Sequence, residues 1–203
     1  RTKSLAAGLR DSHVVAVAGT NGKSTTSSMI SVMFDGLNAK LSFAVGTVIA
    51  GFSTNARLGA TGPGSWFVAE ADESDGSFVR YRPKVAVVTN IEPDHIDFYG
   101  TAERVYEAFN RFVASMVPDG VLITCADDAG AVSLAQRSRA AGLQVLTYGE
   151  SEDVDVRLSQ ITSHGSQSSS VLSWSFDLAG QHYSGEQELK LQVPGVHNQL
   201  NAA

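Results

Sequence analysis

The residues best suited to chemistry are Gly19-Thr20-Asn21-Gly22-Lys23-Ser24-Thr25-Thr26, directly after the apolar run Val14–Ala18. Gly22, Lys23 and Ser24, at the point where a strand should give way to a helix, match the second half of a Walker A phosphate loop. Glycines let backbone N–H groups wrap phosphate oxygens, and the start of a helix adds a favourable dipole. In such a loop Lys23 reaches the β- and γ-phosphates and the Ser24 hydroxyl ligates magnesium. The first glycine of the motif belongs at position 17, where this chain has Val17. The plain alternative is a Gly-rich turn carrying an exposed lysine.

Two acidic groups follow other apolar runs. Glu70-Ala71-Asp72-Glu73-Ser74-Asp75 comes after Trp66–Ala69, and Glu92-Pro93-Asp94-His95-Ile96-Asp97 comes shortly after Val85–Val88. In an open parallel sheet, ligands bind beyond the carboxyl ends of the strands, the same edge as a phosphate loop. Carboxylates there can hold hard cations that neutralise triphosphate charge. Alternatively, acidic loops are simply solvated, and Asp72, Glu73, Asp75 and Asp97 are expected to be caps or surface charges. Taken alone, a histidine such as His95 is more often a hydrogen-bonded loop residue than a ligand.

These groups need a scaffold, and the pattern supplies one. His13–Ala18, Leu41–Val45, Trp66–Ala71, Val85–Asn90, Val121–Thr124 and Gln144–Tyr148 are short β-type runs. Helical patterns cover Lys23–Asp35, Thr101–Met116 and Asp128–Ala141, the second with Val105, Phe109, Phe112, Val113 and Met116 on one face. Strands alternating with helices predict an α/β fold, a mostly parallel sheet flanked by helices. Val154–Ile161, Val171–Asp177 and Glu188–Val193 lack intervening helices and predict a small appended antiparallel sheet, with Gln167–Ser170 a loop running into a strand. The chain starts in what resembles the end of a helix and stops in Gly195–Ala203, which resembles one just begun. Both ends therefore predict a piece of a longer chain.

Composition excludes several function classes. Fifteen basic against twenty-one acidic residues give a net charge of −6. That disfavours nucleic acid or an anionic membrane as the main partner, since both need a basic footprint. No apolar run approaches the ~20 residues that span a bilayer, and the first ten residues lack the apolar stretch of a secretory signal. The lone cysteine, Cys125, suits a reducing cytoplasm.

Ala18–Thr26, without the first Walker glycine, resembles the phosphate loop of the Mur ligase superfamily. Ala69–Phe78 and Val88–His95 resemble the branch that adds L-alanine to UDP-N-acetylmuramate, and Gly195–Ala202 resembles the adenine-contacting motif. The resemblance runs from residue 16 to 203 and implies that the whole chain, 1–203, is the central ATP-binding domain of three, without its last helices. The UDP-binding and amino-acid-binding domains would flank it. Implied too is the chemistry: a lactyl carboxylate attacks the γ-phosphate of ATP, and the amine of L-alanine captures the acyl phosphate. By the same resemblance Gly19, Thr20, Asn21, Gly22, Lys23, Ser24 and Thr25 hold phosphates, with Ser24 on a first Mg2+. Glu70 and His95 match ligands of a second Mg2+, so that Lys23, Glu70 and His95 form the catalytic set. Asn198 and Asn201 match adenine contacts, although helix capping would also account for them. A histidine is an unusual magnesium ligand, so the role of His95 leans on the resemblance.

Two departures bear on the branch. Asn21 stands where the alanine-adding branch commonly has histidine. Against that, several sister ligases use a carbamylated lysine after the Asp-His motif, and no lysine occurs here between Val85 and Lys190. The Gly59–Gly64 loop would suit either a muramyl cradle or a mobile turn. Three alternatives stay open: a murein-peptide recycling ligase, a folylpolyglutamate-synthase-like enzyme, and a module that binds ATP without chemistry. A GTPase is disfavoured because no Asn/Thr-Lys-x-Asp motif is present.

Overall fold

A computed structural model describes residues 12–203. The helix end expected at the N-terminus lies outside the described residues. Strands β1 (His13–Ala18), β4 (Trp66–Glu70) and β5 (Val85–Val88) form the centre of the sheet, all parallel. Both faces of β1 are covered, so Val14 to Ala18 are all buried and the strand reads as a continuous apolar run. Alternation divides it between two cores. Val14, Ala16 and Ala18 join one, with Phe78, Phe109 and Phe112, while Val15 and Val17 join the other, with Phe43 and Val68.

Helix α1 (Lys23–Gly36) leaves the loop after β1 and covers the second core. On the other side of β4 lie β2 (Ser42–Ile49), parallel to it, and β3 (Thr54–Arg57), an antiparallel edge that the hydropathy pattern does not reveal. After β5 come a short helix α2 (Ile96–Tyr99), then α3 (Ala102–Ala114), β6 (Val121–Cys125), α4 (Ala129–Ala140) and β7 (Gln144–Gly149). The Thr101 hydroxyl caps α3 by accepting from the Arg104 amide. The apolar face of α3 packs Phe112 on Phe78, ring centroids 5.0 Å apart. Asp128 caps α4 and also accepts from the Ile91 amide at 3.0 Å, fastening the loop after β5.

The appended antiparallel strands β8 (Val156–His164), β9 (Gln167–Leu178) and β10 (Gln181–Leu191) continue the main sheet. Tyr148 and Gly149 of β7 pair in parallel with Val156 and Arg157 of β8, giving the order β10-β9-β8-β7-β6-β5-β1-β4-β2-β3. Gln167–Ser170, expected as a loop, belongs to β9, paired with β8 on one side and β10 on the other. Its serines have a second task. Gln199 on the last helix, α5 (Val196–Ala202), is fully buried; it donates to the Ser168 hydroxyl at 2.8 Å and accepts from the Ser170 hydroxyl at 2.7 Å. A buried amide satisfied in this way fixes how α5 sits. No helix among the described residues is long and apolar enough to cross a membrane.

Candidate active site

The loops leaving the carboxyl ends of β1, β4 and β5 meet in one crevice. Gly19 and Gly22 have φ of +135° and +88°, values that favour glycine. The space is equally restrictive: a Cβ on Gly19 would lie 2.1 Å from Thr89 Oγ1, and one on Gly22 would lie 2.4 Å from Asn201 Oδ1. The loop is laced to the segment after β5. The Thr20 amide donates to the Asn90 carbonyl at 3.1 Å and the Asn21 amide to Asn90 Oδ1 at 2.8 Å. The Thr89 hydroxyl donates to the Asn21 carbonyl at 2.6 Å, and the Glu92 amide to the Thr20 hydroxyl at 2.9 Å. Asn21 thus holds the loop through its backbone, which any residue at that position supplies.

Lys23 and Ser24 open α1, where first-turn amides have no carbonyl partner in their own helix and can receive an anion. Ser24 Oγ donates to Glu70 Oε1 at 2.9 Å, and the other Glu70 oxygen accepts from the Gly46 amide at 2.6 Å. The serine hydroxyl and the carboxylate therefore present hard oxygen donors at one point, the set that magnesium prefers. No cluster of three or more His, Cys, Asp or Glu suited to an ion occurs among the described residues. A magnesium ion here would take its remaining ligands from phosphate and water, as it commonly does.

Glu73 differs from its expectation as a cap or surface charge. It is 2% exposed, because its segment is folded inward under Lys23 and Tyr99. Lys23 Nζ lies 3.1 Å from Glu73 Oε1 and 3.0 Å from Oε2, and also donates to the Gly19 carbonyl at 2.7 Å. The Tyr99 hydroxyl donates to the Glu73 carbonyl. Burial, aided by the Glu73 charge, pushes the Tyr99 hydroxyl up to about 12. Asp72 and Asp75 do serve as turn residues: the Ser74 amide donates to Asp72, and the Ser77 amide to Asp75. The Ser77 hydroxyl and amide hold the Asp75 carboxyl below its usual value.

His95 caps α2 with φ of +54°, its carbonyl accepting from the Phe98 and Tyr99 amides. Its Nε2 lies 3.9 Å from Glu73 Oε1 and 3.9 Å from Asp94 Oδ2. Ser24 and Glu70 are thus brought together directly. Glu70 and His95 share no hydrogen bond or ion pair among the described residues; His95 turns to Glu73 instead. On α5 Asn201 abuts Gly22, whereas Asn198 Nδ2 donates to the Pro194 carbonyl at 2.7 Å. An apolar groove of about 490 Å³, lined by Thr25, Met29, Met33, Val48 and Leu191, adjoins Ser24; the sequence had not shown it.

The profile of the Mur ligase middle domain matches residues 17–203, nearly all the described chain. The chain belongs to the Mur ligase middle-domain family. A relative from Arthrobacter sp. (strain FB24), named UDP-N-acetylmuramate–L-alanine ligase, is 50% identical over 204 residues, covering 100% of this chain and 40% of its own. One of the same name from Renibacterium salmoninarum is 47% identical over 202 residues, covering 100% and 41%. Among solved structures, the UDP-N-acetylmuramate-alanine ligase MurC of Thermotoga maritima has a TM-score of 0.76 at 26% identity, covering 98% of this chain and 41% of that one. The ligase MPL of Neisseria meningitides, which joins UDP-N-acetylmuramate to L-alanyl-γ-D-glutamyl-meso-diaminopimelate, has 0.80 at 25%, covering 98% and 62%. This Mur ligase middle domain spans about 40% of the length of the curated relatives it matches.

Proposed function

We propose that residues 1–203 are the central ATP-binding domain of a ligase that joins L-alanine to UDP-N-acetylmuramate in peptidoglycan precursor synthesis, in the cytoplasm. The UDP-binding and amino-acid-binding sites belong to the flanking parts of the protein. The single observation that carries the reading is the pairing of Ser24 with Glu70 at the mouth of a glycine-shaped phosphate loop. The 50% identity to an alanine-adding relative supports the choice of branch.

In this reading the loop amides from Gly19 to Thr25 bind the phosphates of ATP, and Lys23 places its ammonium on the γ-phosphate side. Ser24 and Glu70 would hold Mg2+, which would supply charge neutralisation to the phosphates; His95 lies in the same crevice as a candidate for a second ion. The lactyl carboxylate attacks the γ-phosphorus and ADP leaves. The amine of L-alanine then attacks the acyl carbon, and phosphate departs with the former carboxylate oxygen. Asn201, seated against Gly22, lies at the entrance of α1 and is the better placed of the two asparagines for the nucleotide.

Similarity to the Neisseria ligase favours a second reading, in which the amine comes from a murein peptide. Both are tested by phosphate release from Mg-ATP and UDP-N-acetylmuramate in the full-length protein, with either L-alanine or L-alanyl-γ-D-glutamyl-meso-diaminopimelate added. The first reading expects release with L-alanine. Release only with the peptide supports the second, and release with neither rejects both.

A further inference from the structure

We propose that Glu73 is a positioning residue that aims Lys23 at the transferring phosphate and ties it to His95; this rests on the ligase reading above. A carboxylate with its side chain 3% exposed is costly to hold in place unless its charge is used. Both its oxygens face the Lys23 ammonium, and one of them also faces His95 Nε2 at 3.9 Å. The second oxygen, Oε2, is buried with no aligned hydrogen bond among the described residues, where the ion pair with Lys23 compensates it.

The support for Glu73 comes from all three loops of the site. Lys23 follows β1, Glu73 follows β4, and His95 follows β5. The segment that carries His95 also carries Tyr99, whose hydroxyl holds the Glu73 carbonyl, and the Gly76 amide donates to that same carbonyl at 3.0 Å. Main chain and carboxylate are therefore fixed separately. An immobilised lysine loses rotamer entropy, and Glu73 imposes that order before nucleotide arrives. A carboxylate this near the phosphate site adds no attraction for a polyanion. Its contribution lies in where the ammonium points, which matters most as charge develops on the γ-phosphate.

The test uses the full-length protein and compares Glu73→Gln and Glu73→Asp with wild type. In Glu73→Gln, kcat should fall about tenfold to a hundredfold, the cost of misplacing a group near the chemistry, while the ADP dissociation constant stays within about threefold. Glu73→Asp, which keeps the charge with a shorter reach, should recover part of the lost kcat. Parallel loss of kcat and ADP affinity, or a kcat within about twofold of wild type, would overturn the proposal. If Glu73→Gln fails to fold, Glu73→Asp carries the same two readouts. One readout is independent of ligase activity. Reductive methylation of Lys23 without nucleotide, followed by mass spectrometry, should be faster in either variant than in wild type. Equal rates would overturn the role of Glu73 whatever reaction the protein catalyses, whereas wild-type protein with no phosphate release rejects the ligase reading alone.

Discussion

The Ser24 hydroxyl donates to a Glu70 oxygen at 2.9 Å across 46 residues of sequence, joining the first turn of α1 to the end of β4. The second Glu70 oxygen is held by the Gly46 amide, so the carboxylate is fixed from both sides before any ion arrives. Magnesium demands near-ideal geometry and gives up water reluctantly, so oxygen donors held ready in this way favour it.

Ser24→Ala removes one of these donors and leaves Glu70 held by the Gly46 amide of β2. In the full-length protein the Mg2+ concentration for half-maximal phosphate release should rise on the order of tenfold. ATP titrated at saturating Mg2+ should recover most of the turnover. An unchanged magnesium requirement would remove Ser24 from the ion site.

Lys23→Ala should abolish turnover, and the burial of Glu73 adds a consequence for stability. With its ammonium partner gone, the carboxylate is left buried and uncompensated, a loss of about 1–3 kcal/mol. The double variant Lys23→Met with Glu73→Gln should regain most of that stability while remaining inactive. Urea unfolding of the three proteins checks this; equal midpoints for the wild type and Lys23→Ala would contradict the pairing.

His95→Ala should lower kcat by more than it weakens ATP binding. Its Nε2 faces Glu73 at 3.9 Å, and Glu73 in turn holds the Lys23 ammonium, so its interaction belongs to the phosphoryl-transfer step. Steady-state kinetics beside ATP-analogue titration separates the two quantities. Equal losses in both would place His95 in simple nucleotide binding.

Tyr99 gives the structure an alkaline limit. Burial and the Glu73 charge raise its hydroxyl to about 12 from an ordinary value of 10.0, so the folded state binds the proton more tightly than the unfolded chain. That contribution is complete below pH 10 and is lost as pH rises through 12. Unfolding free energy should therefore fall across this window, and Tyr99→Phe should flatten the fall. A Tyr99→Phe profile that parallels wild type would contradict it.

Much of this architecture is legible in the residues. Val14–Ala18 followed by Gly22-Lys23-Ser24 specifies both a buried parallel strand and the loop after it, since few other arrangements satisfy such a run. Glu73 was not legible: it stands among Glu70, Asp72 and Asp75, and no spacing tells which acid is buried. Its burial comes from Lys23 and Tyr99, which reach it from different loops. Gln199 was missed for a related reason, because a glutamine in a helix shows no sign of the two serines that receive it. The Ser-rich start of β9 looked like a loop because polar residues usually mark one, but hydrogen-bonding strands on both sides and the Gln199 contacts keep it in the sheet. β3 is four residues at the sheet edge, too short and polar to show a pattern.

In the proposed reaction this crevice transfers the γ-phosphoryl group of ATP to a carboxylate. It is tested most directly by supplying the full-length protein with Mg-ATP, L-alanine and UDP-N-acetylmuramate labelled with 18O in the lactyl carboxylate. Each phosphate released should carry one 18O atom, passed from the carboxylate through the acyl phosphate, with no labelled phosphate from Lys23→Ala. Amide formation accompanied by unlabelled phosphate would contradict it.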